Sequence, residues 1–487
     1  MRTMNKALDA GPGQRPMPMP LAEQARFALA LTAGKTAAAA ARILGVGGGT
    51  SLPGSIARRI DPQVLQKVAD ASDVCKIFVT GSNGKTTTCR MLAALAHAGG
   101  LSVTQNRSGS NLLQGVISTA LRGADLRGRM DAQLLLLEVD EGTVGRVIPE
   151  LRPDTFAVTN IFRDQLDRFG ELYSMARQLQ SVIDVLPGSA TAVLNGDDPL
   201  VASLAAGATA RSMFYGIQAD HAGEQVPEHA ADTIRCVRCQ HELSYRVVHL
   251  SHLGDYSCPE CGHARPALDV AVTAIHPSPQ GGSDIAVQTP AGDIELRVPL
   301  PGLHNVYNAA AALTCALASF PRPIDPALAR RALAGVRPAF GRLEQIQAGE
   351  RQVTLAFVKN PTSYNTTLRE VLHRPGRKHV VAAHSNTVVD GEDFAWLWDV
   401  DLEQLVPQLA SLTVSGTRAE EVALRFKYAG ADPSVTQVIP DRAAALQTAL
   451  RKPPPGEDLY IFAGYTPMRE LRGVMQRQGW VRPSWEE

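Results

Sequence analysis

The stretch Lys76–Arg90, KIFVTGSNGKTTTCR, constrains the fold of this chain more than any other part of it. Ile77–Val79 predict a short buried strand, Gly81–Gly84 a tight turn, and Lys85 opens a helix. Glycines let a backbone wrap an anion, and a helix N-terminus offers free N–H groups and the positive end of a dipole. The stretch therefore predicts a phosphate-binding loop in which Lys85 reaches the outer phosphates and Thr86 holds Mg²⁺.

The loop does not match the general phosphate-loop pattern completely, because Val79 stands where that pattern has its first glycine. The alternative interpretation is a glycine turn that only connects a strand to a helix.

Length and composition place this loop in a multidomain globular protein. The chain has 487 residues, which is too long for one hydrophobic core, and 45% of them are hydrophobic. The formal net charge is zero, so the whole chain shows no electrostatic signature of a nucleic-acid-binding protein. No apolar run is long enough to span a bilayer and no signal-peptide pattern is present, which predicts a cytoplasmic protein.

Alternating apolar strands and helices predict the domain organisation. We expect a disordered segment over 1–20, a helical lead-in over 21–70, a central α/β domain over 71–337 and a smaller C-terminal α/β domain over 338–487. The alternation favours parallel sheets with helices on both faces, so ligands should bind at the carboxyl ends of the strands. Asp284–Leu300 is predicted to be strand and Leu402–Leu409 to be helix.

The segment 232–266 breaks this rhythm. Cys236-x-x-Cys239 and Cys258-x-x-Cys261 have the spacing of a four-thiolate zinc site, in which each pair forms one knuckle. Disulfide bonds are the alternative, but a reducing cytoplasm disfavours them. A closed Cys₄ site predicts structural zinc, with the neighbouring His241, His252 and His263 at the surface.

Carboxylates follow the next apolar strand, in LLLLEVDEGT. Glu138 and Asp140 lie at the strand end, where a carboxylate can reach the Mg²⁺ of a nucleotide bound at Thr86. The alternative is a pair of solvated strand-end carboxylates.

Several motifs in this order resemble the Mur ligase superfamily, and within it the MurT family of ligase subunits. The resemblance covers the chain from Leu52 to its end, and it rests on the elements GSNGKTTT, NIFRDQLDRFGE, GLHNVYNAAA and GRLE, on the Cys₄ ribbon, and on DGEDFAWLWDVD. Gln165 and Arg168 stand where the superfamily has histidines, Ala356 where it has an aspartate and Lys359 where it has a histidine.

The resemblance implies the fold, the cofactors and the site. The fold is a Mur ligase-type central ATP-binding domain with an inserted zinc ribbon, followed by a smaller C-terminal domain, and the cofactors are ATP, Mg²⁺ and structural Zn²⁺. Thr86 and Glu138 would hold Mg²⁺. The implied ATP-binding residues are Gly81, Asn83, Gly84, Lys85, Thr86, Thr87, Asn305 and Arg342.

The resemblance also implies the reaction and the partners. The family amidates the α-carboxylate of D-glutamate in the lipid II stem peptide through an acyl phosphate, at the inner face of the membrane. Its ammonia comes from a glutamine amidotransferase subunit of the GatD type in a heterodimer. Asp393 of the DGED segment, or else Asp390, would complete the partner's Cys–His pair.

Two other functions stay open at this point. A ligase similar to folylpolyglutamate synthase would add an amino acid, although it offers no account of the Cys₄ ribbon. A zinc-ribbon ATPase that binds nucleic acid is disfavoured by the zero net charge and by the lack of interleaved basic and aromatic residues.

Overall fold

A computed structural model describes residues 19–43, 51–106, 110–163, 172–219, 231–279, 281–338, 341–387, 390–454 and 456–481. The predicted disordered segment 1–20 lies almost entirely outside these ranges, as do Gln165 and Arg168 of the NIFRDQLDRFGE element.

The central domain is built on a nine-stranded sheet in the order β11-β10-β9-β6-β5-β4-β1-β3-β2. Its strands are β1 Cys75–Thr80, β2 Val103–Gln105, β3 Leu134–Glu138, β4 Thr155–Val158, β5 Thr191–Asn195, β6 Arg211–Ile217, β9 Val270–Pro277, β10 Ser283–Gln288 and β11 Ile294–Val298. The seven strands from β2 to β9 in this order run parallel. The phosphate loop follows β1, which is buried in the middle of the sheet because its residues are apolar.

Helices cover both faces of this sheet, as the alternation predicts. They are α1 Leu21–Ile43, α2 Leu52–Ile60, α3 Val64–Asp70, α4 Lys85–Ala98, α5 Leu113–Gly123, α6 Val144–Leu151, α7 Leu172–Asp184, α8 Pro199–Ser203, α9 Leu303–Ser319 and α10 Pro326–Ala334. One core contains α4 and α9, and the other contains the helices before β1 together with α5, α6 and α7.

The parallel arrangement ends at β9. The segment predicted as one strand over Asp284–Leu300 is a hairpin of β10 and β11, and both of its strands are antiparallel to their neighbours. The turn at Thr289–Gly292, in which Gly292 has φ 114°, explains the break.

The cysteine-rich insert lies between β6 and β9 and carries its own hairpin, β7 Ser244–Leu250 and β8 Leu253–Ser257. The insert can leave the sheet without disrupting it because β6 and β9 pair directly.

The C-terminal domain has a six-stranded sheet in the order β12-β13-β17-β14-β15-β16. Its strands are β12 Glu344–Ala348, β13 Arg351–Phe357, β14 Lys378–Ala383, β15 Leu409–Ser415, β16 Thr436–Val438 and β17 Leu459–Ala463, and its helices are α11 Pro361–Leu372, α12 Ala419–Tyr428, α13 Arg442–Ala449 and α14 Tyr465–Arg477. Five strands are parallel and β12 is an antiparallel edge.

The prediction of a helix over Leu402–Leu409 is wrong. The segment forms two short 3₁₀ turns, Leu402–Gln404 and Val406–Gln408, before β15 begins at Leu409. Pro407 lacks the backbone N–H that a continuous α-helix needs, whereas Leu402 and Leu405 are buried as a helical pattern would have them.

Candidate active site

The phosphate loop has the backbone geometry that its glycines permit. Gly81 has φ 124° and Gly84 has φ 88°, and a Cβ at Gly84 would lie 2.2 Å from Asn308 Oδ1. Any other residue at Gly84 would therefore be strained and would displace Asn308. The loop leads directly into α4, so the free N–H groups of that helix face the loop.

Lys85 is 7% exposed, and its side chain is hydrogen-bonded both to the loop and to a carboxylate that follows β3. Its ammonium donates to Gly81 O and to Glu141 Oε1, the latter at 3.0 Å. Glu141, which the sequence pattern did not single out, is buried as well. The pair holds a cation ready at the helix N-terminus, where an incoming phosphate would compete with the Glu141 carboxylate.

The predicted Mg²⁺ ligands lie together. Thr86 Oγ1 donates to Glu138 Oε2 at 2.8 Å, and Asn111 Nδ2 donates to Glu138 Oε1 at 3.3 Å. A hydroxyl and a carboxylate of this kind suit a magnesium ion that retains several of its waters. Asp140 has another local contact, because its Oδ1 accepts from Gly142 N at 3.2 Å.

The segment after β4 supports the loop from the other side. Asn160 Oδ1 accepts from Asn83 N at 2.8 Å, and Thr159 Oγ1 donates to Asn83 O at 2.7 Å. Ser82 Oγ donates to Phe162 O at 3.0 Å. These bonds fix the turn before any ligand arrives, which is the preorganisation that a charge-stabilising site requires.

The GLHN motif forms the N-terminus of α9 and continues this network. Asn308 Oδ1 accepts from Thr88 Oγ1 at 3.3 Å, and Asn308 Nδ2 donates to Asn305 Oδ1 at 3.1 Å. Burial, together with the nearby Arg342 and Arg369, lowers the pKa of His304 to about 4. His304 is therefore neutral at physiological pH.

The C-terminal domain closes the site. Arg342 enters with its guanidinium 4.9 Å from the centre of the Phe357 ring, just before Leu343, which has φ 54°. Residues of both domains line one cavity of about 910 Å³, which includes space open to solvent. Of the predicted ATP-binding residues, Asn83, Gly84, Thr86, Thr87, Asn305 and Arg342 line this cavity, whereas Gly81 and Lys85 contribute through the loop.

The four cysteines lie in a tight cluster. Their sulfur atoms are all within 4.8 Å of one another, with 3.6 Å between Cys236 and Cys261 and 3.4 Å between Cys239 and Cys258. Tetrahedral bonds of about 2.3 Å imply about 3.8 Å between thiolates, so the residues fit one zinc ion.

Both knuckles have the same backbone form. Cys236 N donates to His241 O and Cys258 N donates to His263 O, and a residue with positive φ follows each second cysteine, Gln240 and Gly262. The equivalence of the two turns supports a metal knuckle over a chance grouping. The prediction that His252 and His263 are surface residues is wrong, because both are buried, whereas His241 is exposed.

The two aspartates of the DGED segment differ in their surroundings. Asp390 is committed inside the domain, because its Oδ2 accepts from Thr387 Oγ1 at 2.6 Å and its Oδ1 from Thr466 N at 2.9 Å. Asp393 is exposed, and its Oδ1 accepts from Ala395 N at 2.9 Å. The rings of Phe394 and Trp396 pack on buried His384 and hold this segment in place.

Comparisons with known proteins agree with this architecture. The MurT ligase C-terminal family matches residues 357–468, and the Mur ligase middle domain matches residues 79–258. The lipid II isoglutaminyl synthase (glutamine-hydrolyzing) subunit MurT of Streptococcus pneumoniae (strain ATCC BAA-255 / R6) is 30% identical over 438 residues, which are 90% of this chain and 94% of that subunit.

Solved structures show the same fold. A pseudomurein peptide ligase type C from Methanothermus fervidus superposes with a TM-score of 0.63 at 20% identity, and the alignment covers 83% of this chain and 79% of the ligase. Folylpolyglutamate synthase from Mycobacterium tuberculosis, complexed with ADP and AMPPCP, superposes with a TM-score of 0.60 at 16% identity, and the alignment covers 94% of this chain and 96% of the synthase. At these identities the likeness concerns the fold alone.

Proposed function

This chain belongs to the MurT family of Mur ligase-type subunits, and from that premise we propose that it is the ATP-dependent ligase subunit of a lipid II isoglutaminyl synthase. The substrate would be the α-carboxylate of D-glutamate in the lipid II stem peptide, and the product D-isoglutamine. The observation that carries the proposal is the single cavity in which the phosphate loop of the central domain and Arg342 of the C-terminal domain meet.

In the proposed reaction the γ-phosphoryl group of ATP passes to the α-carboxylate, which yields an acyl phosphate and ADP. Ammonia then attacks the carbonyl carbon, phosphate leaves, and the nitrogen loses a proton. Mg²⁺, held by Thr86 and Glu138, would neutralise phosphate charge during this transfer. Lys85 and the N–H groups of α4 would stabilise charge on the nucleotide, and Arg342 would do so from the other domain.

We assign the source of ammonia to a second chain. Four of the seven cysteines form the cluster that would bind zinc. Burial raises the pKa of Cys315 to about 12, and burial, with Glu138 and Cys315 nearby, also raises that of Cys89. Cys75 begins β1 and is thus at the opposite end of the strand from the phosphate loop. Among the described residues no cysteine is therefore placed as the thiolate nucleophile that glutamine hydrolysis needs, which supports a GatD-type amidotransferase as partner.

The exposed Asp393 supports a direct interaction with that partner. A carboxylate held on a packed segment can orient a partner's imidazole and favour the imidazolium that accompanies a thiolate. No helix within the described ranges is long and apolar enough to cross a bilayer. We propose that the complex meets lipid II peripherally, at the inner face of the membrane.

The test is product analysis. Purified chain, Mg·ATP, lipid II and ammonium salt should yield amidated lipid II, identified by a mass decrease of about one unit per stem peptide, since –OH is replaced by –NH₂. Adding the glutaminase partner should let glutamine replace ammonium. Incorporation of glutamate or another amino acid in place of ammonia would instead support an amino-acid-adding ligase.

A further inference from the structure

The hairpin of the zinc ribbon reaches the proposed nucleotide site. Leu250 ends β7 and Leu253 begins β8, and both line the cavity that also contains Asn83 and Thr86 of the phosphate-loop region. The chain reverses between them through Ser251, which has φ 54°, and His252. One wall of the cavity therefore belongs to the insert.

His252 fixes this turn to the segment that supports the phosphate loop. Its side chain is 0% exposed, its ring centre lies 4.8 Å from that of Phe162, and its Nε2 lies 3.6 Å from Asp198 Oδ2. The same Asp198 Oδ2 accepts from Ile161 N at 2.8 Å. The backbone N–H of Phe162 donates to Ser82 Oγ. A displacement of the turn would therefore also displace the phosphate loop.

A second set of contacts holds the same end of the hairpin, next to the turn. Gly254 N donates to Asp197 O at 3.0 Å, and Arg265 Nη1 lies 3.0 Å from Asp197 Oδ1. Asp197 is fully buried and accepts from Tyr307 Oη at 2.7 Å, and Tyr307 lines the same cavity. The hairpin therefore touches the site through charged and hydrogen-bonded groups as well as through leucines.

The other end of the hairpin packs on the cysteine cluster. Buried Cys236 and Cys258 share a small core with Leu243 and Tyr256 of the ribbon. The Tyr245 ring lies 6.3 Å from that of Tyr256, and its hydroxyl donates to His252 O at 3.0 Å. Packed side chains therefore connect the four thiolates to the turn at the cavity.

We propose that this ribbon couples zinc to nucleotide: zinc orders the hairpin, and the ordered hairpin supplies the wall against which the base of a purine nucleotide binds. The small core around Cys236 and Cys258 takes only Ala202 from the central domain among its buried members, so we expect it to need the metal to stay folded, as zinc ribbons usually do. Leu250 and Leu253 are apolar, which suits the flat face of a base and not a phosphate. This inference rests on the proposed nucleotide site and adds a determinant that lies outside the ATPase sheet.

Reciprocity makes the coupling measurable from both directions. If zinc raises the affinity for ADP by some factor, ADP must raise the affinity for zinc by the same factor. Factors of about 5 to 150 are typical of such coupling. The first measurement is the Kd of Mg·ADP for zinc-loaded chain and for chain stripped by a zinc-selective chelator, with circular dichroism to follow the fold.

The second measurement starts from zinc-loaded, folded protein. The zinc affinity is determined by competition with the same chelator, with and without saturating Mg·ADP. ADP should strengthen zinc binding at least fivefold, the same factor by which zinc strengthens ADP binding. Equal zinc affinity in the two conditions would overturn the inference while leaving the nucleotide site intact. Failure of the loaded chain to bind ADP would overturn both this inference and the proposed function.

A substitution in the hairpin tests its contact with the nucleotide independently of zinc binding. Leu253→Ala should weaken ADP binding about fivefold to tenfold at unchanged zinc content, because it removes apolar contact from the cavity. Val248→Ala on the same hairpin is the matched control, since Val248 is buried but is not among the described residues that line the cavity. Equal ADP affinity for Leu253→Ala and the control would remove the hairpin from the site.

Discussion

Arg163 Nη1 lies 3.1 Å from Asp399 Oδ2, and this ion pair joins the central domain to the C-terminal domain. Arg163 also donates through its backbone N–H to Asp232 Oδ2 at 2.9 Å. It follows Phe162 of the cavity directly, whereas Asp399 lies six residues after Asp393. One arginine thus connects the nucleotide cavity, the base of the ribbon and the segment proposed to face the glutaminase.

Asp399→Ala should loosen the contact between the domains without unfolding either. The pair is partly exposed, so its loss is worth at most about 1 kcal/mol, or about fivefold. We expect the kcat/KM for ATP to fall twofold to fivefold in ammonium-driven amidation, with an unchanged melting temperature. Glu420→Ala, an exposed carboxylate of the same domain, is the control. A kcat/KM equal to that of the control would mean that the pair does not help to close the site.

Lys85→Ala should reduce ligase turnover by about 10²–10³, the usual loss for one preorganised electrostatic group. Because the change leaves the buried Glu141 carboxylate without its ammonium, some loss of stability is expected too. Turnover and melting temperature are therefore measured together. Near-normal amidation by a folded Lys85→Ala protein would contradict the assignment of the nucleotide site.

Much of this site could be predicted because its residues are close in sequence. The phosphate loop and the cysteine pairs depend on local spacing, and both appear in the structure where their patterns place them. Glu141, Arg163 and His252 were missed or misjudged because their partners are distant in the chain. Lys85, for example, is 56 residues from Glu141. No local sequence pattern indicates that His252 will be buried against Phe162 and Asp198, which lie more than 50 residues earlier in the chain.

Cys236→Ser should cost stability and, through the coupling proposed above, nucleotide affinity, whereas turnover at saturating ATP should change less. One zinc ion per chain is expected by metal analysis of the wild-type protein, and the variant should lose most of it together with the fold of the ribbon. Cys75→Ser is the control, because Cys75 lies outside the cluster. Folded, active protein that contains no metal would refute the structural-zinc assignment.

Acid should destabilise the C-terminal domain through His384. Burial lowers the pKa of His384 to about 3, below the ordinary value of about 6.5 that applies when the chain is unfolded. The unfolded state therefore binds the proton first, and the neutral native histidine contributes stability above about pH 6.5 that is lost as the pH falls toward 3.

Between pH 7 and pH 5 this histidine should account for about 2 kcal/mol of the loss in unfolding free energy. His384→Phe keeps an aromatic ring between Phe394 and Trp396 and should remove that part of the pH dependence. Denaturant titrations at the two pH values measure it, with His373→Gln, at an exposed position, as the control. If the unfolding free energy of His384→Phe fell between pH 7 and pH 5 by as much as that of the wild type, His384 would not be the source of the pH dependence.

Asp393→Asn should affect glutamine-driven amidation and ammonium-driven amidation differently. Its carboxylate is exposed on a segment whose partly buried aromatic rings pack on His384, so the change should leave the fold, ATP binding and ammonium-driven amidation largely intact. Glutamine-driven amidation should fall steeply, because an amide cannot stabilise a partner's imidazolium as a carboxylate does. Asp390→Asn is an informative comparison: Asp390 caps the helix that begins at Tyr465, so its loss should lower the melting temperature and depress both reactions together. If Asp393→Asn also depresses both reactions equally, Asp393 belongs to the ligase site or to the fold, and the interface assignment has to be abandoned.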